Sequence, residues 1–164
     1  NDKLRYYMLL RELKDENKID IFHYCLMNTH IHIILNLNPD SALSRFMKQL
    51  NLMYFHYYRK KYGYSGHFWQ DRFKSNIIEM DSYLLQCGKY IELNPVRASM
   101  VNHPGEYLFS SYNCYANNKP DALITLNPAY LELSDSAQIR QEQYIDFVVD
   151  SSIINSWKTR GRFS

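Results

Sequence analysis

The sequence is poor in cysteine and contains no long hydrophobic run. Its three cysteines, Cys25, Cys87 and Cys114, are widely spaced and form no paired motif, so neither a disulfide framework nor a thiolate metal site is indicated. No segment approaches the ~20 apolar residues of a membrane-spanning helix, and the first residues lack the architecture of a signal peptide. We therefore expect a soluble, intracellular protein with one compact core.

Two further absences narrow the class of protein. The chain has no internal repeat and no GxxxxGK[ST] loop, which is the usual phosphate cradle of nucleotide-hydrolysing proteins. A repeat architecture and a phosphate loop of this type are therefore not indicated. With 164 residues, of which 46% are hydrophobic, the chain is long enough for one sizeable core and short for two.

Positive charge is concentrated in one part of the chain. Residues 45–74 carry seven basic side chains and one acidic side chain, for a local balance of +6, whereas the remainder has 12 basic against 16 acidic side chains. A basic block beside an acidic surface is typical of proteins that bind a polyanion. A solvated helix face explains the same composition, so both interpretations stay open at this point.

Hydrophobic periodicity and breaker residues predict a mixed α and β chain. The predicted elements begin with a helix over 2–17, followed by strands over 19–27 and 30–37 that are joined by a tight turn at 28–29. A helix then runs from Ser41 as N-cap to about 62, followed by a loop over 63–73 and a strand over about 74–79. Asp81 and Ser82 cap a helix that runs to Asn94 and is stopped by Pro95, and a further helix is predicted over about 136–149. In the long helix, an apolar stripe lies opposite a face that carries Arg45, Lys48, Gln49, His56, Arg59 and Lys60.

The stretch NTHIHIIL, residues 28–35, places two histidines in an otherwise apolar strand. Side chains alternate along a strand, so His30 and His32 share a face and lie roughly 6 to 7 Å apart. Two neutral imidazoles at this spacing can bind one divalent cation. The pattern equally suits two histidines that are satisfied by other partners or face solvent.

A second group of polar side chains lies in KYIELNPVRA, residues 89–98. Tyr90 and Asn94 are one helical turn apart, on a stripe that also contains Tyr83 and Cys87, so a phenol and an amide can approach the same point. A half-buried core tyrosine and an asparagine that ends a helix before proline explain these residues as well.

Four segments in order resemble the HUH single-tyrosine transposases, and within that group the REP-associated tyrosine transposases and their insertion-sequence relatives. The segments are YCLMNTHIHIIL, LSRFMKQL, SGHFWQDRFKS and YIELNPVRASMV. The resemblance implies an α+β sandwich, with a ferredoxin-like antiparallel sheet and helices on one face. It also implies Tyr90 as the nucleophile, and His30, His32 and Asn94 as ligands of Mg²⁺ or Mn²⁺.

The resemblance covers residues 1 to about 113 and divides the chain. We expect a catalytic domain over 1–115 and an extension over 116–164 with one helix and a basic tail, KTRGRFS. The strand that the family carries before its first helix is missing from the numbered chain, since residues 2–17 match that helix. Where the family commonly has Pro-Asn before the first histidine, this chain has Asn28 and Thr29.

The activity implied by the resemblance is cleavage and rejoining of single-stranded DNA through a covalent 5′-phosphotyrosine. Implied partners are single-stranded DNA, with or without a hairpin, and a second copy of the chain, because some relatives exchange the tyrosine helix between subunits. The implied setting is the prokaryotic cytoplasm at the nucleoid. The residues predicted to contact DNA are Arg45, Lys48, Gln49, Arg59, Lys60, Trp69, Arg72 and Lys74.

Tyr62, Tyr64, Phe68 and Trp69 could stack on unpaired bases, although ordinary loop packing explains them equally well. Two other functions fit parts of the pattern. A ferredoxin-like sheet that binds nucleic acid without catalysis explains the basic block but not the histidine pair. A metal-dependent nuclease that uses water would leave Tyr90 with a structural role alone.

Overall fold

The structure is a computed structural model that describes residues 1–79 and 81–149. The predicted basic tail lies outside the described residues. Within the described part of the chain, no helix is both long enough and apolar enough to cross a membrane. The three cysteines are free thiols and are buried or half-buried, as their spacing predicts.

The first helix, α1, runs over Asp2–Glu16. The Asn1 side chain accepts a hydrogen bond from the Lys3 N–H at 3.0 Å and caps its first turn. Tyr6, Leu9, Leu10 and Leu13 are buried, and their spacing is that of one helical face. The predicted helix over 2–17 is therefore confirmed.

Two antiparallel strands follow, β1 over Ile19–Leu26 and β2 over Ile31–Leu37. The Met27 N–H donates to the His30 carbonyl at 2.9 Å and closes the predicted tight turn. Between Ile21 and His23 the pairing shifts by one residue. Because a bulge adds a residue to one strand, Ile21 and Tyr24 can face the same core. His23 faces the other side, against Gly88.

The long helix, α2, runs over Leu43–Tyr62 and ends at Gly63 in the left-handed conformation, with φ 63°. Its predicted apolar stripe is confirmed, since Phe46 and Leu50 are buried in one core with α1 and β1. The predicted N-cap is wrong by one residue. Ala42 occupies that position, and the Ser41 hydroxyl instead donates to the Lys18 carbonyl.

The next helix, α3, runs over Asp81–Glu92 and is followed by the short α4, Asn94–Arg97. The prediction of one helix that is stopped by Pro95 is therefore corrected. Pro95 lies in the first turn of α4. Backbone N–H groups in a first turn have no partner inside their helix, so proline, which lacks an N–H, costs no helical hydrogen bond there. The Arg97 N–H donates to the Leu93 carbonyl at 3.0 Å, so the backbone stays helical across the junction.

The predicted strand over 74–79 is wrong, because these residues form no strand in the structure. Ile77 is 89% exposed, whereas Ile78 packs beside Ile34 and Leu84. A strand is held by a ladder of hydrogen bonds to a neighbour, and the sheet of the described residues contains β1 and β2 alone. Of the two isoleucines in this segment, Ile78 therefore anchors the loop, whereas Ile77 faces solvent.

The remaining elements belong to the chain after α4. They are a 3₁₀ helix over Pro104–Glu106, α5 over Tyr112–Asn117, α6 over Pro128–Leu131 and α7 over Ala137–Val149. The helix predicted over 136–149 is confirmed, whereas α5 and α6 are additions to the prediction. We call residues 112–149 the C-terminal segment.

The C-terminal segment shares a core with the helices that precede it. Tyr112, Tyr115, Tyr130 and Tyr144 are buried in one cluster with Leu93. Two residues of the later part of the same chain also cover the outer edge of β1. The Ser111 N–H donates to the Tyr24 carbonyl at 3.0 Å, and the Thr125 N–H donates to the Ile21 carbonyl at 2.9 Å. The division of the chain at residue 115 stays a prediction.

The architecture is α+β, as predicted. α1 and α2 pack on one face of the hairpin. α3 lies against the opposite face, where Leu84 and Ile91 pack on Ile34, so helices cover both faces of the sheet rather than one. This placement brings the end of α3 to the face that carries His32.

We expect Leu50→Ala to lower the free energy of unfolding by about 2 to 5 kcal/mol, because it leaves a cavity between α1, α2 and β1. The matched control is Leu52→Ala in the same helix, where the side chain is 50% exposed and the loss should stay within ~0.5 kcal/mol. Urea unfolding followed by circular dichroism measures both. Equal losses in the two variants would contradict the packing of α2.

Candidate active site

The histidine pair lies at the start of β2. The His30 and His32 ring centroids are 4.9 Å apart and their planes are nearly perpendicular, at 89°. His30 is exposed and His32 is half-buried. The Thr29 hydroxyl and His30 Nδ1 are hydrogen-bonded at 3.1 Å, so the second turn residue orients the first ring. The alternation of the strand thus places both imidazoles on one face, as predicted.

The environment of His32 favours the neutral imidazole. Burial lowers the pKa of His32 below its usual value of 6.5, and the nearby His30 and Arg97 add electrostatic effects in the same direction. The neutral form is the one that can donate a lone pair to a metal ion. At neutral pH His32 is therefore in the state that a ligand requires.

Tyr90 lies in the last turn of α3 and faces the histidine pair. Its ring centroid is 6.5 Å from that of His32, with the two planes at 89°. The Tyr90 side chain is 54% exposed, so its hydroxyl is open to a large substrate. The predicted nucleophile therefore lies beside a predicted metal ligand within this one chain.

Arg97 is part of the site and was missed by the sequence prediction. Its guanidinium carbon is 4.2 Å from the centre of the Tyr90 ring, and Nη1 donates to the Tyr90 carbonyl at 2.9 Å. Burial lowers the pKa of Arg97 from its ordinary value, but an arginine stays protonated at neutral pH. The available signal was its position seven residues after Tyr90, two turns along the same helical path.

Asn94, the third predicted ligand, is the first residue of α4. Its Nδ2 is buried and has no hydrogen-bond partner among the described residues. Rotation of an amide by half a turn exchanges the positions of its oxygen and nitrogen. Because Nδ2 makes no hydrogen bond with the described residues, such a rotation breaks no bond of that atom and can turn the amide oxygen toward a metal ion. One helical turn separates it from Tyr90.

Within the described residues, histidine, cysteine, aspartate and glutamate side chains form no group of three that could hold a metal ion. A metal at this site would therefore depend on two imidazoles and an amide. Such neutral ligands leave the charge of a bound cation intact for an anionic substrate. The predicted ligand set is compatible with the structure and stays a prediction.

The residues predicted to contact DNA fall into two groups. Lys48, Arg59 and Lys60 are exposed along α2, and Arg72 and Lys74 are exposed in the loop that follows it. Arg45 and Gln49 instead help to fix the end of α1. Arg45 Nε donates to Asn17 Oδ1 at 3.0 Å, and Gln49 Oε1 accepts from Asn17 Nδ2 at 3.2 Å.

The aromatic side chains after α2 pack mainly on that helix. The Trp69 indole N–H donates to the Asn51 carbonyl at 3.2 Å, and its ring centroid is 4.9 Å from that of Phe68. Tyr62, the last residue of α2, instead donates from its hydroxyl to Asp2 of α1 at 2.7 Å. Loop packing therefore accounts for much of this cluster, and contact of Trp69 with DNA stays a prediction.

Comparisons with known proteins give one family match and one curated relative. The family model described as "Transposase IS200 like" matches residues 1–94, a range that contains His30, His32, Tyr90 and Asn94. A protein of Haemophilus influenzae named as a REP-associated tyrosine transposase is 29% identical over an alignment of 132 residues, and the match covers 68% of this chain and 74% of that protein. No solved structure gives a significant match.

Proposed function

Because the chain belongs to the IS200-like transposase family, we propose that it is a metal-dependent DNA strand transferase that cleaves and rejoins single-stranded DNA. In this proposal Tyr90 forms a covalent 5′-phosphotyrosine with the cut strand. The observation that carries the proposal is the exposed Tyr90 ring beside His32, with the two ring centroids 6.5 Å apart. A DNA substrate also implies that the protein acts at the nucleoid.

In the cleavage step, the phenolic oxygen of Tyr90 attacks the phosphorus of a phosphodiester. A bond forms between that oxygen and phosphorus, while the bond from phosphorus to the 3′-oxygen breaks. The departing 3′-oxygen takes up a proton, and the phenol loses its proton to solvent. One phosphodiester replaces another, so a free 3′-hydroxyl can reverse the reaction and join two strands.

Arg97 lies where a positive charge assists this step. A tyrosine phenol with an ordinary pKa of ~10 is mostly protonated at neutral pH and is a weak nucleophile. A guanidinium 4.2 Å from the Tyr90 ring favours the developing phenolate and attracts the phosphate. The same cation donates to the backbone of Tyr90, so it holds the residue as well as stabilising its charge.

His30, His32 and Asn94 fit a divalent cation such as Mg²⁺ or Mn²⁺. The imidazoles are adjacent, His32 is held neutral by its surroundings, and the buried amide nitrogen of Asn94 has no partner within the described residues. A cation bound by these residues would supply Lewis-acid polarisation of the phosphate. The chain's own part is to orient the ligands and to favour the neutral form of His32.

The exposed cations of α2 and the following loop suit the backbone of the substrate. Lys48, Arg59 and Lys60 extend along the helix, and Arg72 and Lys74 continue in the loop. Single-stranded DNA carries a charge at each phosphate, and a row of cations binds it with little dependence on sequence. We propose that this surface holds the DNA strand whose scissile phosphate reaches Tyr90. A DNA hairpin and a second copy of the chain are further partners in this proposal.

We expect Tyr90→Phe to abolish the covalent adduct with a single-stranded oligonucleotide while DNA binding is retained, because only the attacking oxygen is lost. Denaturing gels show the adduct, and fluorescence anisotropy measures binding. The matched control is Tyr83→Phe in the same helix, two turns earlier and 60% exposed, which should form adduct normally. An adduct on Tyr90→Phe, or cleaved strands without any adduct, would contradict the proposed function.

We expect His32→Ala to weaken Mn²⁺ binding by at least ~10-fold, because it removes a direct ligand and even outer partners of a metal site have effects of that size. Isothermal calorimetry without DNA measures the affinity. His67→Ala is the control, since that histidine is exposed in the loop after α2. Unchanged Mn²⁺ affinity in His32→Ala would remove the metal site from the proposal.

A further inference from the structure

A buried hydrogen-bonded network lies behind Tyr90, on the opposite side of α3 from the candidate active site. Glu92 and His23 are fully buried, and His23 Nδ1 donates to Glu92 Oε1 at 2.9 Å. We propose, on the basis of the proposed function, that Glu92 is a positioning residue. Its carboxylate holds the last turn of α3, and therefore Tyr90, against β1 and the C-terminal segment.

The Glu92 carboxylate has partners from three separate parts of the chain. Besides His23 of β1, the Ser111 hydroxyl donates to Oε1, and the Tyr144 hydroxyl of α7 donates to Oε2 at 2.7 Å. A buried carboxylate is strongly unfavourable unless its oxygens are saturated with donors. Here both oxygens are satisfied, so any displacement of this turn leaves a buried acceptor unpaired.

His23 is itself fixed on its other sides. The Asn127 amide donates to Nε2 at 3.1 Å, and the Tyr115 ring stacks on the imidazole with centroids 4.4 Å apart. Gly88, one turn before Glu92, makes the approach of α3 possible. A Cβ atom at this position would lie 2.6 Å from His23 Cε1, which explains a glycine inside a helix, where this residue is otherwise unfavourable.

The position of Glu92 on the helix links the network to the reaction. Glu92 is two residues after Tyr90 and two before Asn94, and at ~100° per residue two positions differ by about 200°. The nucleophile and the candidate ligand therefore point away from the network. Glu92 is fully buried, so it cannot touch DNA and acts through the backbone of its turn. Reacting groups must be held within about 0.5 Å and 10–20° of the productive geometry. A residue that fixes the backbone of this turn therefore affects the rate of the reaction at Tyr90.

Lys89 provides a second connection between this turn and α7. Its ammonium group donates to the Phe147 carbonyl and lies 4.8 Å from the Phe147 ring centroid. Residues on both sides of Tyr90 are thus tied to other parts of the chain, while Tyr90 itself is exposed. Ser111, Asn127 and Tyr144 all lie beyond residues 1–94, which the family model matches. The C-terminal segment therefore supplies part of the support of the active site.

The test compares two variants that each delete one buried hydroxyl of the C-terminal segment. Tyr144→Phe removes the donor to Glu92, and Tyr130→Phe removes a donor to the Tyr115 carbonyl at 2.9 Å. At saturating oligonucleotide, we expect adduct formation by Tyr144→Phe to slow by about tenfold or more, since misplacement of reacting groups by ~1 Å can cost ~10²-fold. The half-saturating DNA concentration should not change. Tyr130→Phe should react at close to the wild-type rate.

Glu92 itself gives a second comparison. Glu92→Gln keeps the shape of the side chain and one acceptor oxygen, so it should retain more of the maximal rate than Glu92→Ala. Hydrogen exchange of the backbone amides of residues 89–94 reports the anchoring without any reaction. It should become faster in Tyr144→Phe and remain at the wild-type value in Tyr130→Phe.

The outcomes separate this inference from the function on which it rests. Faster exchange together with slower adduct formation in Tyr144→Phe supports positioning by Glu92. Equal exchange in the two tyrosine variants, or faster exchange with an unchanged maximal rate, overturns the inference even though the wild-type protein forms adduct. If the wild-type protein forms no adduct while the contrast in exchange is present, the proposed function is wrong and the anchoring is supported.

Discussion

The hairpin of β1 and β2 has two faces of different character, and the placement of α1, α2 and α3 follows from that difference. On one face, Ile21, Tyr24 and the apolar side chains of β2 join α1 and α2 in a core from which water is excluded. On the other face, His23 and His32 are polar and require partners. A helix that covers this face must supply those partners, and α3 does so with Glu92 and Tyr90. The bulge after Ile21 maintains this division along β1.

The last turn of α3 contacts both polar groups of this face, the histidine pair and His23. Within three residues it presents Tyr90 to the histidine pair and buries Glu92 among donors from distant parts of the chain. Helical geometry makes these two demands compatible, because side chains two positions apart point in nearly opposite directions. The proposed nucleophile is thereby exposed on a turn whose other side is held by the buried Glu92. Arg97 completes the arrangement from α4, where its guanidinium lies against the Tyr90 ring.

Local patterns in the sequence predict the parts of this structure that depend on local rules. Strand alternation predicts that His30 and His32 are adjacent, and helical periodicity predicts the buried stripe of α2. The strand over 74–79 could not be excluded in this way, since a strand also needs a partner for its ladder. Pro95 was interpreted as a stop, although a first helical turn accepts proline equally well.

Contacts between distant segments account for what the sequence did not reveal about the site. Arg97 was visible as a basic residue in helical register with Tyr90, yet its contact with the ring depends on the turn between α3 and α4. The partners of Glu92 come from positions as distant as His23 and Tyr144, and no periodicity connects them. Arg45 and Gln49 looked equivalent to Lys48, but their hydrogen bonds to Asn17 distinguish them.

Mass spectrometry of the covalent adduct tests the central claim most directly. After reaction with a single-stranded oligonucleotide and trimming by a nuclease, trypsin should cut after Lys89 and Arg97 and release YIELNPVR, in which Tyr90 is the single tyrosine. Tyr83 falls on the preceding peptide. The account predicts a nucleotide 5′-phosphate attached to residues 90–97 and to no other peptide. A nucleotide on another peptide, or cut strands with no modified peptide, would contradict it.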